Sequence, residues 1–259
     1  MTAIVQVENV ARIYGGVRAV DDVSFEVAEG RSFGVIGPNG AGKTTLFGLL
    51  SGDIAPSHGQ IRLFGRDVTR WGVPRRTALG VSRTFQTPRG FPNLTVRENV
   101  TLAASGHSRS KFSPLRPWRT YRATARRVEE TADRFGFGSR LDRLAVHLSH
   151  GELRQLDIML ALVANPRLLL LDEPAAGLPV AERRQITEML QAVAGELTLL
   201  IIEHDMEIVR NVVDEVMVMH HGQVIASGPP DVIRTDQTVQ DVYLGAFGRR
   251  VTEAGDGGH

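Results

Sequence analysis

Apolar residues near the start of the chain follow the spacing of β-strands. Two segments, 4–10 and 17–27, alternate or cluster apolar side chains on either side of a turn-prone Tyr-Gly-Gly triplet. This pattern predicts an antiparallel β-layer. A third apolar run, 32–36, is separated by a glycine-rich loop from residues 43–51, where leucines recur at helical spacing. The pattern there predicts a strand, a loop and a helix in succession.

The rest of the chain alternates predicted strands with predicted helices. Short apolar runs predict strands at 60–63, 81–85, 215–220 and 223–228, the last two as a hairpin. Two other runs, 168–171 and 198–202, are apolar almost throughout, as in parallel strands that are buried on both faces. Helices are predicted at 95–99 and beyond, at 149–164 and at 238–244. We therefore expect an α/β fold with a mixed or parallel core sheet.

Composition narrows the class of protein. The 259 residues can form one large α/β domain with a smaller helical insertion, and the net charge of +1 gives no electrostatic case for a nucleic-acid partner. Because there is no Cys, disulfides, thiol nucleophiles and Cys-based metal sites are excluded. No apolar stretch approaches the length that spans a bilayer, and the N-terminus lacks a secretory signal. We expect a soluble chain whose connection to a membrane comes only through a partner.

The glycine-rich loop has the G-x-x-x-x-G-K-T spacing of a phosphate cradle. We call it the phosphate loop; its residues are Gly37, Pro38, Asn39, Gly40, Ala41, Gly42, Lys43, Thr44 and Thr45. Its glycines let successive N–H groups and the start of the following helix converge on phosphate oxygens. Lys43 can reach the β- and γ-phosphates as a point charge, and the Thr44 hydroxyl can bind the accompanying Mg²⁺. Only two of the 30 Lys and Arg residues are Lys, so a lysine here indicates a need for a compact ammonium.

Polar residues follow three of the predicted strands. Asp172 and Glu173 come directly after the first of the two buried runs, at the strand end where α/β sheets bind ligands. Asp172 is predicted to hold Mg²⁺, and Glu173 to accept a proton from an attacking water. His204 follows the second buried run and can face the same phosphates. Gln86 follows a third strand and can place its amide near the nucleotide, although Gln is most often a surface residue.

Two further features have both a functional and a structural interpretation. Tyr14, beside the Gly-Gly turn, can stack on a purine ring or be a half-buried residue at a strand end. Ser149 and Glu152 form a capping box, which is sufficient to explain the start of a helix. The same Ser hydroxyl, the Gly151 N–H and the positive helix end also form an anion site that can face a nucleotide held by another subunit. The local pattern leaves both interpretations open.

Residues 105–127 differ in composition from the rest of the chain. They combine basic and aromatic side chains, and no acidic residue lies between Glu98 and Glu129. This shift indicates an insertion. Such a segment can contact anionic lipid headgroups, an acidic protein surface or nucleic acid. The alternative is a solvated helix start that follows a proline-rich approach.

In this order, the motifs resemble those of the ATP-binding subunit of an ABC transporter. The resemblance covers 14–245 and includes Tyr14, the phosphate loop, a glutamine loop at Gln86, a signature segment at 148–152, Asp172, Glu173 and a switch histidine at His204. It implies a P-loop NTPase of the ABC ATPase type, with an antiparallel β-layer and a helical subdomain. The implied domain spans 1–247, with the helical subdomain inserted at about 87–165 and a disordered tail at 248–259.

The resemblance also implies ATP and Mg²⁺ as cofactors and ATP hydrolysis as the reaction. The implied catalytic residues are Glu173, His204, Lys43 and Gln86. Gln86 joins Thr44 and Asp172 as a metal ligand, and Tyr14 stacks on adenine. Two subunits enclose two ATP molecules, so that Ser149 and Gly151 of one subunit complete the site of the other.

Two positions depart from the family pattern. The usual signature is Leu-Ser-Gly-Gly-Gln, whereas this chain has His150 and Glu152. Because an acid near a γ-phosphate is unfavourable, Glu152 is expected to point back and cap its own helix. Pro179 stands where the family has Asp or Asn two residues after Gly177, which puts cross-dimer coupling through that side chain in doubt.

Within the family, the chain is most similar to the branched-chain amino acid import subfamily, including relatives that import urea or amides. The shared features are the basic insertion and segments 82–86, 172–178, 202–206 and 242–245. This implies transmembrane permease subunits, a second ATPase subunit of the same or a related kind, and indirectly a solute-binding protein, all at the cytoplasmic face of the membrane. The alternatives are a lipopolysaccharide-export ATPase, which shares the last segment, and a non-transport ABC ATPase acting on ribosomes or DNA.

Overall fold

A computed structural model describes residues 2–84, 90–106 and 118–242, with side chains described from 122 onward in the last range. The strands in these ranges are β1 (Ala3–Tyr14), β2 (Val17–Ala28), β3 (Ser32–Ile36), β4 (His58–Leu63), β5 (Arg66–Asp67), β6 (Val81–Arg83), β7 (Leu168–Asp172), β8 (Thr198–Ile202), β9 (Glu215–His220) and β10 (Gln223–Gly228). The helices are α1 (Lys43–Ser51), α2 (Val73–Ala78), α3 (Val96–Gly106), α4 (Trp118–Arg134), α5 (His150–Leu162), α6 (Val180–Gln191), α7 (Met206–Val212) and α8 (Pro230–Thr235). The chain divides into two compact units: unit one is Met1–Arg76 with Ala194–His259, and unit two is Thr77–Val193.

Unit one begins with the predicted antiparallel β-layer, a four-stranded sheet in the order β2-β1-β4-β5. Strand β2 ends within one residue of its predicted end, whereas β1 extends to Tyr14 rather than to the predicted residue 10. The reason is a set of register shifts in the β1–β2 ladder, which interrupt the alternation of apolar and polar positions. At one of them Asn9 has a positive φ of 47°, and its side-chain amide donates to the Asp22 carboxylate at 2.8 Å. The strand therefore continues where the sequence pattern is broken.

Unit one also contains four strands of mixed direction, in the order β10-β9-β3-β8. Strand β3 pairs in parallel with both β8 and β9, while β9 and β10 form the predicted antiparallel hairpin. Every residue of β3 and β8 is buried, as their nearly continuous apolar runs predicted. Because β3 and β8 are parallel neighbours, the segments that follow them begin at the same edge of the sheet.

Unit two contains the parallel pair β6 and β7 and the helices α3 to α6. Strand β7 is completely buried and pairs with β6 from Val81↔Leu168 to Arg83↔Leu170. Helix α3 starts with a capping box, since the Thr95 N–H donates to Glu98 at 2.7 Å and the Glu98 N–H donates to the Thr95 hydroxyl at 3.2 Å. Helix α3 packs against α4 and α5, and α5 packs against α6. The expected helical subdomain is present within this unit.

Several boundaries differ from the predicted ones. Helix α5 ends at Leu162, and the last predicted helix begins at 237 and is described as far as 242. Helices α2, α6, α7 and α8 were not predicted, because short or strongly charged helices carry weak apolar periodicity. The expected tail, 248–259, lies outside the described residues. No helix in the described ranges is both long and apolar enough to cross a membrane.

Candidate functional site

The phosphate loop follows β3 and needs glycine at two of its positions. Gly37 has a φ of 149°, and a Cβ there would lie 2.2 Å from the backbone oxygen of Met219. Gly42 has a φ of 100°, and its Cβ would lie 2.2 Å from the backbone oxygen of Ala19. Both the backbone conformation and the lack of space exclude a side chain at these positions. The loop is therefore packed tightly against the surrounding backbone.

Backbone hydrogen bonds hold the phosphate loop in shape. Within the loop, the Ala41 N–H donates to the Pro38 carbonyl at 3.2 Å. The Ala41 carbonyl accepts from the N–H of Gly222, in the β9–β10 turn, at 3.0 Å. The Gly222 carbonyl in turn accepts from the N–H of Asp21, in β2, at 2.8 Å. The loop is thus fixed by unit one before any ligand binds.

The first turn of α1 is suited to an anion. Its N-cap is Gly42, which offers no side chain to cap the helix, and no acidic residue lies in the first turn. The first N–H groups of a helix have no acceptor within the helix, and the helix dipole gives this end a positive potential. A phosphate group can accept hydrogen bonds there without displacing a protein group.

Lys43 is buried at the start of this helix, with only 7% of its surface exposed. Its ammonium donates to the backbone oxygens of Gly37 at 2.6 Å and of Pro38 at 3.0 Å. The cation is therefore held against the loop itself. Thr44, the next residue, is exposed. This arrangement places one fixed positive charge and one accessible hydroxyl at the anion site.

His204 lies at the same sheet edge, at the end of β8. The Glu203 N–H donates to the Val35 carbonyl of β3 at 3.4 Å, so the end of β8 lies beside the strand that leads into the phosphate loop. The Glu203 carboxylate is buried and accepts from the N–H of His204 at 3.0 Å and of Asp205 at 3.4 Å. It fixes the backbone while leaving more than half of the imidazole exposed. Sequence analysis missed this role of Glu203, although a Glu directly after a buried strand was visible.

In unit two, Asp172 ends the buried strand β7 and is itself buried. Its Oδ2 accepts from the Arg83 guanidinium at 3.1 Å. Burial raises the pKa of the Asp172 carboxyl above its usual value, and the positive charge of Arg83 partly opposes this rise. Sequence analysis did not identify Arg83 as a partner, because the two residues are 89 positions apart.

Glu173 follows Asp172 and is half-buried. Its φ of 47° places it in the left-handed region, which is unusual for a residue with a side chain. Its backbone oxygen accepts from the N–H of Ala176 at 3.2 Å and from the guanidinium of Arg154 at 3.0 Å. The turn that directs the Glu173 side chain is therefore held by two hydrogen bonds.

The signature segment, residues 148–152, starts helix α5 with a capping box. The Ser149 hydroxyl accepts from the Glu152 N–H at 3.1 Å, and the Glu152 carboxylate accepts from the Ser149 N–H at 2.8 Å. Glu152 also pairs with Arg140 at 2.9 Å. It points back toward its own helix, as expected. Ser149 remains exposed.

A carboxylate of α6 lies against the signature segment. The Ser149 hydroxyl is 3.5 Å from Glu182 Oε1, and a Cβ on Gly151 would lie 2.4 Å from Glu182 Cδ. A side chain at position 151 would displace the flexible end of Glu182, so the glycine lets this carboxylate lie against the start of α5. Sequence analysis did not anticipate this contact.

Tyr14, another predicted site residue, is the last residue of β1. Tyr14 is 43% exposed, and the Arg12 guanidinium lies 4.5 Å from the centre of its ring. Gln86 lies outside the described residues, as does 107–117 of the basic segment.

A divalent cation fits the chemistry of Asp172. In the described ranges, its Oδ1 atom is buried and has no hydrogen-bond partner. A buried carboxylate oxygen of this kind suits a cation or a water bound to one. The same ranges contain no cluster of three or more acidic or His side chains able to bind a metal by themselves. Mg²⁺ commonly takes one or two protein oxygens together with substrate phosphates and water, so a lone buried carboxylate is sufficient.

Comparisons with protein families and known sequences agree with the geometry. The family described as ABC transporter matches residues 20–176, and the family described as branched-chain amino acid ATP-binding cassette transporter matches residues 223–247. The chain is 35% identical to the high-affinity branched-chain amino acid transport ATP-binding protein BraF of Pseudomonas aeruginosa, over 93% of this chain and 98% of that protein. It is 37% identical to LivG of Salmonella typhimurium, which has the same description, over 90% of this chain and 94% of that protein.

Solved structures agree as well. A nucleotide-free ATP-binding cassette from an ABC transporter has a TM-score of 0.81 at 29% identity, covering 93% of this chain and 99% of that one. An ADP conformation of an ATP-binding cassette of an ABC transporter has a TM-score of 0.83 at 28% identity, covering 95% and 100%. Both matches extend over nearly the whole chain.

Proposed function

The chain belongs to the ABC transporter family as an ATP-binding cassette with ATPase activity, and we propose that it drives the import of branched-chain amino acids or similar small polar solutes. The observation that carries the proposal is the preformed anion site at the start of α1. There the phosphate loop, the uncapped helix end and the buried Lys43 ammonium converge on one place. Such a site suits the β- and γ-phosphates of a nucleoside triphosphate.

In the proposed reaction, the phosphate loop holds the nucleotide and Lys43 donates to the β- and γ-phosphate oxygens. Thr44, Asp172 and Gln86 are the proposed contacts of Mg²⁺, which when bound neutralises charge on the phosphates. Glu173 accepts the proton of the attacking water, and His204 donates to the γ-phosphate. Tyr14 is the proposed stacking partner of adenine. Because the Arg12 guanidinium lies over one face of the Tyr14 ring, adenine would either replace Arg12 on that face or stack on the opposite face.

We further propose that a second ATPase subunit completes the site. The exposed Ser149 and the start of α5 are the proposed second anion site, where Glu152 caps the helix and Glu182 lies 3.5 Å from the Ser149 hydroxyl. A helix N-terminus of this kind can contact the γ-phosphate of ATP held by another subunit. The geometry supports a pair of subunits, identical or related, with two shared ATP sites.

The proposed solute and partners rest on similarity to relatives. The relatives are described as branched-chain amino acid transport proteins, and a family of that description matches the C-terminal residues 223–247. We propose transmembrane permease subunits as direct partners and an extracytoplasmic solute-binding protein as an indirect one. The chain would then act at the cytoplasmic face of the membrane.

The test is solute uptake by the reconstituted transporter. The chain is assembled in liposomes with the permease and binding-protein subunits encoded beside it, and ATP-dependent uptake of labelled leucine is compared with uptake of urea. We expect leucine uptake that disappears in the Lys43→Ala variant. Uptake of urea but not of leucine would assign the chain to the importers of urea and amides. Uptake of leucine that persists in Lys43→Ala would contradict the ATPase role.

A further inference from the structure

Helix α5 carries a buried arginine that contacts the backbone of the proposed base. Arg154 has only 4% of its surface exposed and lies five residues after Ser149. Its Nη2 donates to the backbone oxygen of Glu173 at 3.0 Å. A charged guanidinium is costly to bury, so its position in the interior indicates that its contacts matter to the protein.

The contact lies at a strained position of the chain. A left-handed conformation is unfavourable at a residue with a side chain, and Glu173 adopts it with a φ of 47°. Such a conformation persists only where the surroundings hold it. The Ala176 N–H and the Arg154 guanidinium both donate to the Glu173 carbonyl and so hold the turn.

A second arginine contacts the residue that precedes Glu173. Arg83 acts on the Asp172 carboxylate directly, whereas Arg154 contacts the backbone of the next residue. Two arginines from different elements of unit two therefore contact consecutive residues at the end of β7.

We infer that Arg154 is a positioning residue for Glu173: it ties the helix that begins with the signature segment to the backbone that directs the base. The inference rests on the proposed function, in which Glu173 activates water. Arg154 does not contact the nucleotide in this account. Loss of the Arg154 side chain should therefore reduce turnover without weakening nucleotide binding. Turnover should fall only in chains that retain the Glu173 carboxylate.

The first measurement compares steady-state ATP hydrolysis and MgATP affinity in Arg154→Met, Arg154→Lys and the unaltered chain. We expect Arg154→Met to lower kcat at least tenfold and to change the MgATP dissociation constant less than threefold. Lys can donate one hydrogen bond to the Glu173 carbonyl, so Arg154→Lys should recover part of kcat. The control is Arg184→Met in α6, because Arg184 is exposed and pairs with Glu188 away from this turn, and its kcat should not change.

The second measurement tests whether Arg154 acts through Glu173. Arg154→Met is added to Glu173→Gln, and we expect the residual rate of Glu173→Gln to change less than twofold. If Arg154→Met does not fold, as judged by thermal unfolding, Arg154→Lys carries the same comparison in both backgrounds.

Three results would overturn the inference while leaving the proposed function intact. They are an unchanged kcat in Arg154→Met, a loss of MgATP affinity in proportion to the loss of kcat, and an equal fold-loss in the presence and absence of the Glu173 carboxylate. Each of these results counts against the inference only if Glu173→Gln alone abolishes most turnover. Near-normal turnover in Glu173→Gln would instead remove the base assignment itself, and the inference with it.

Discussion

Lys43 illustrates how residue identity is set by the phosphate loop. Its ammonium lies within 3.0 Å of two backbone oxygens of the loop while its side chain is buried. A planar guanidinium is larger and donates in fixed directions, so it cannot occupy the same space with the same contacts. This explains a lysine in a chain in which 28 of the 30 Lys and Arg residues are Arg.

We predict that Lys43→Arg lowers ATP affinity at least tenfold, about 1.4 kcal/mol of binding free energy. The reason is that the guanidinium must displace the loop or leave the anion site. Titration of the purified variant with MgATP measures the effect, with Arg66→Lys at an exposed position as the control for exchange of one cation for another. An affinity equal to that of the unaltered chain would be incompatible with the proposed role of Lys43.

Gly40 and Gly42 are glycines for different reasons: backbone conformation alone at Gly40, and both backbone conformation and lack of space at Gly42. Both have positive φ, but a Cβ on Gly40 meets open space, whereas a Cβ on Gly42 would lie 2.2 Å from a backbone oxygen. We predict that Gly40→Ala lowers the free energy of unfolding by about 1 kcal/mol, and that Gly42→Ala lowers it by at least about 2 kcal/mol more. Urea unfolding of both variants measures the difference. Equal losses would mean that the loop is less tightly packed than its contacts indicate.

Strand-end residues were predictable from the sequence, but their partners were not. Asp172, Glu173 and His204 each follow a buried apolar run, so their positions at strand ends could be inferred from the chain alone. The partners Arg83 and Arg154 come from other elements, and nothing in the local pattern distinguishes them from surface arginines. A pairing over many residues becomes visible only once the fold brings the elements together.

At the scale of elements, the C-terminal end of α1 is held by a buried arginine. The Arg76 guanidinium donates to the backbone oxygens of Leu49 at 2.5 Å and of Leu50 at 2.8 Å, at the last turn of the helix. It also donates to the backbone oxygens of Val68 at 2.8 Å and of Trp71 at 2.9 Å. Burial lowers the pKa of Arg76 to about 10, which reflects the cost of removing the cation from water. Four carbonyl acceptors and the negative end of the helix dipole offset that cost.

We predict that Arg76→Met lowers the free energy of unfolding by about 2–4 kcal/mol, because buried carbonyl groups lose their donor. The matched control is Arg75→Met, since Arg75 is the exposed neighbour on the same short helix. Its effect should stay within about 0.5 kcal/mol. Urea unfolding of the pair checks the difference, and equal effects would show that Arg76 does not hold the helix end.

Predicted element boundaries were accurate where the apolar pattern was unbroken. The buried strands β7 and β8 were predicted almost to the residue, because an unbroken apolar run has few other interpretations. Strand β1 proved longer, because irregular pairing shifts the phase of alternation. Helix α6 was missed, since its mixture of charged and apolar residues gives little signal and it begins after Pro179.

At the scale of the whole molecule, the sequence indicated an insertion but not its limits. The change in composition at 105–127 indicated an insertion, and the resemblance implied a helical subdomain at about 87–165. This range lies inside the larger unit Thr77–Val193. The limits of the subdomain remain a prediction. Composition shows where a segment differs from its neighbours in sequence. A compact unit is defined by contacts between segments that are distant in sequence, which composition does not show.

The central claim is that a pair of subunits binds ATP at shared sites and that Glu173 activates the water. Nucleotide binding by the phosphate loop and the signature segment does not require the Glu173 carboxylate in this account. Binding and hydrolysis should therefore separate in Glu173→Gln, which keeps the size and hydrogen-bonding reach of the side chain. ATP bound at a shared site stabilises the dimer by linkage, so dimer formation should also depend on MgATP.

The most direct measurement is phosphate release by Glu173→Gln beside light scattering of the same sample with and without MgATP. We predict a rate at least about a hundredfold lower than that of the unaltered chain, together with a dimer that forms only with MgATP and that Ser149→Arg abolishes. Near-normal phosphate release would contradict the role of Glu173, and a monomer at saturating MgATP would contradict a site completed by a second copy of this chain.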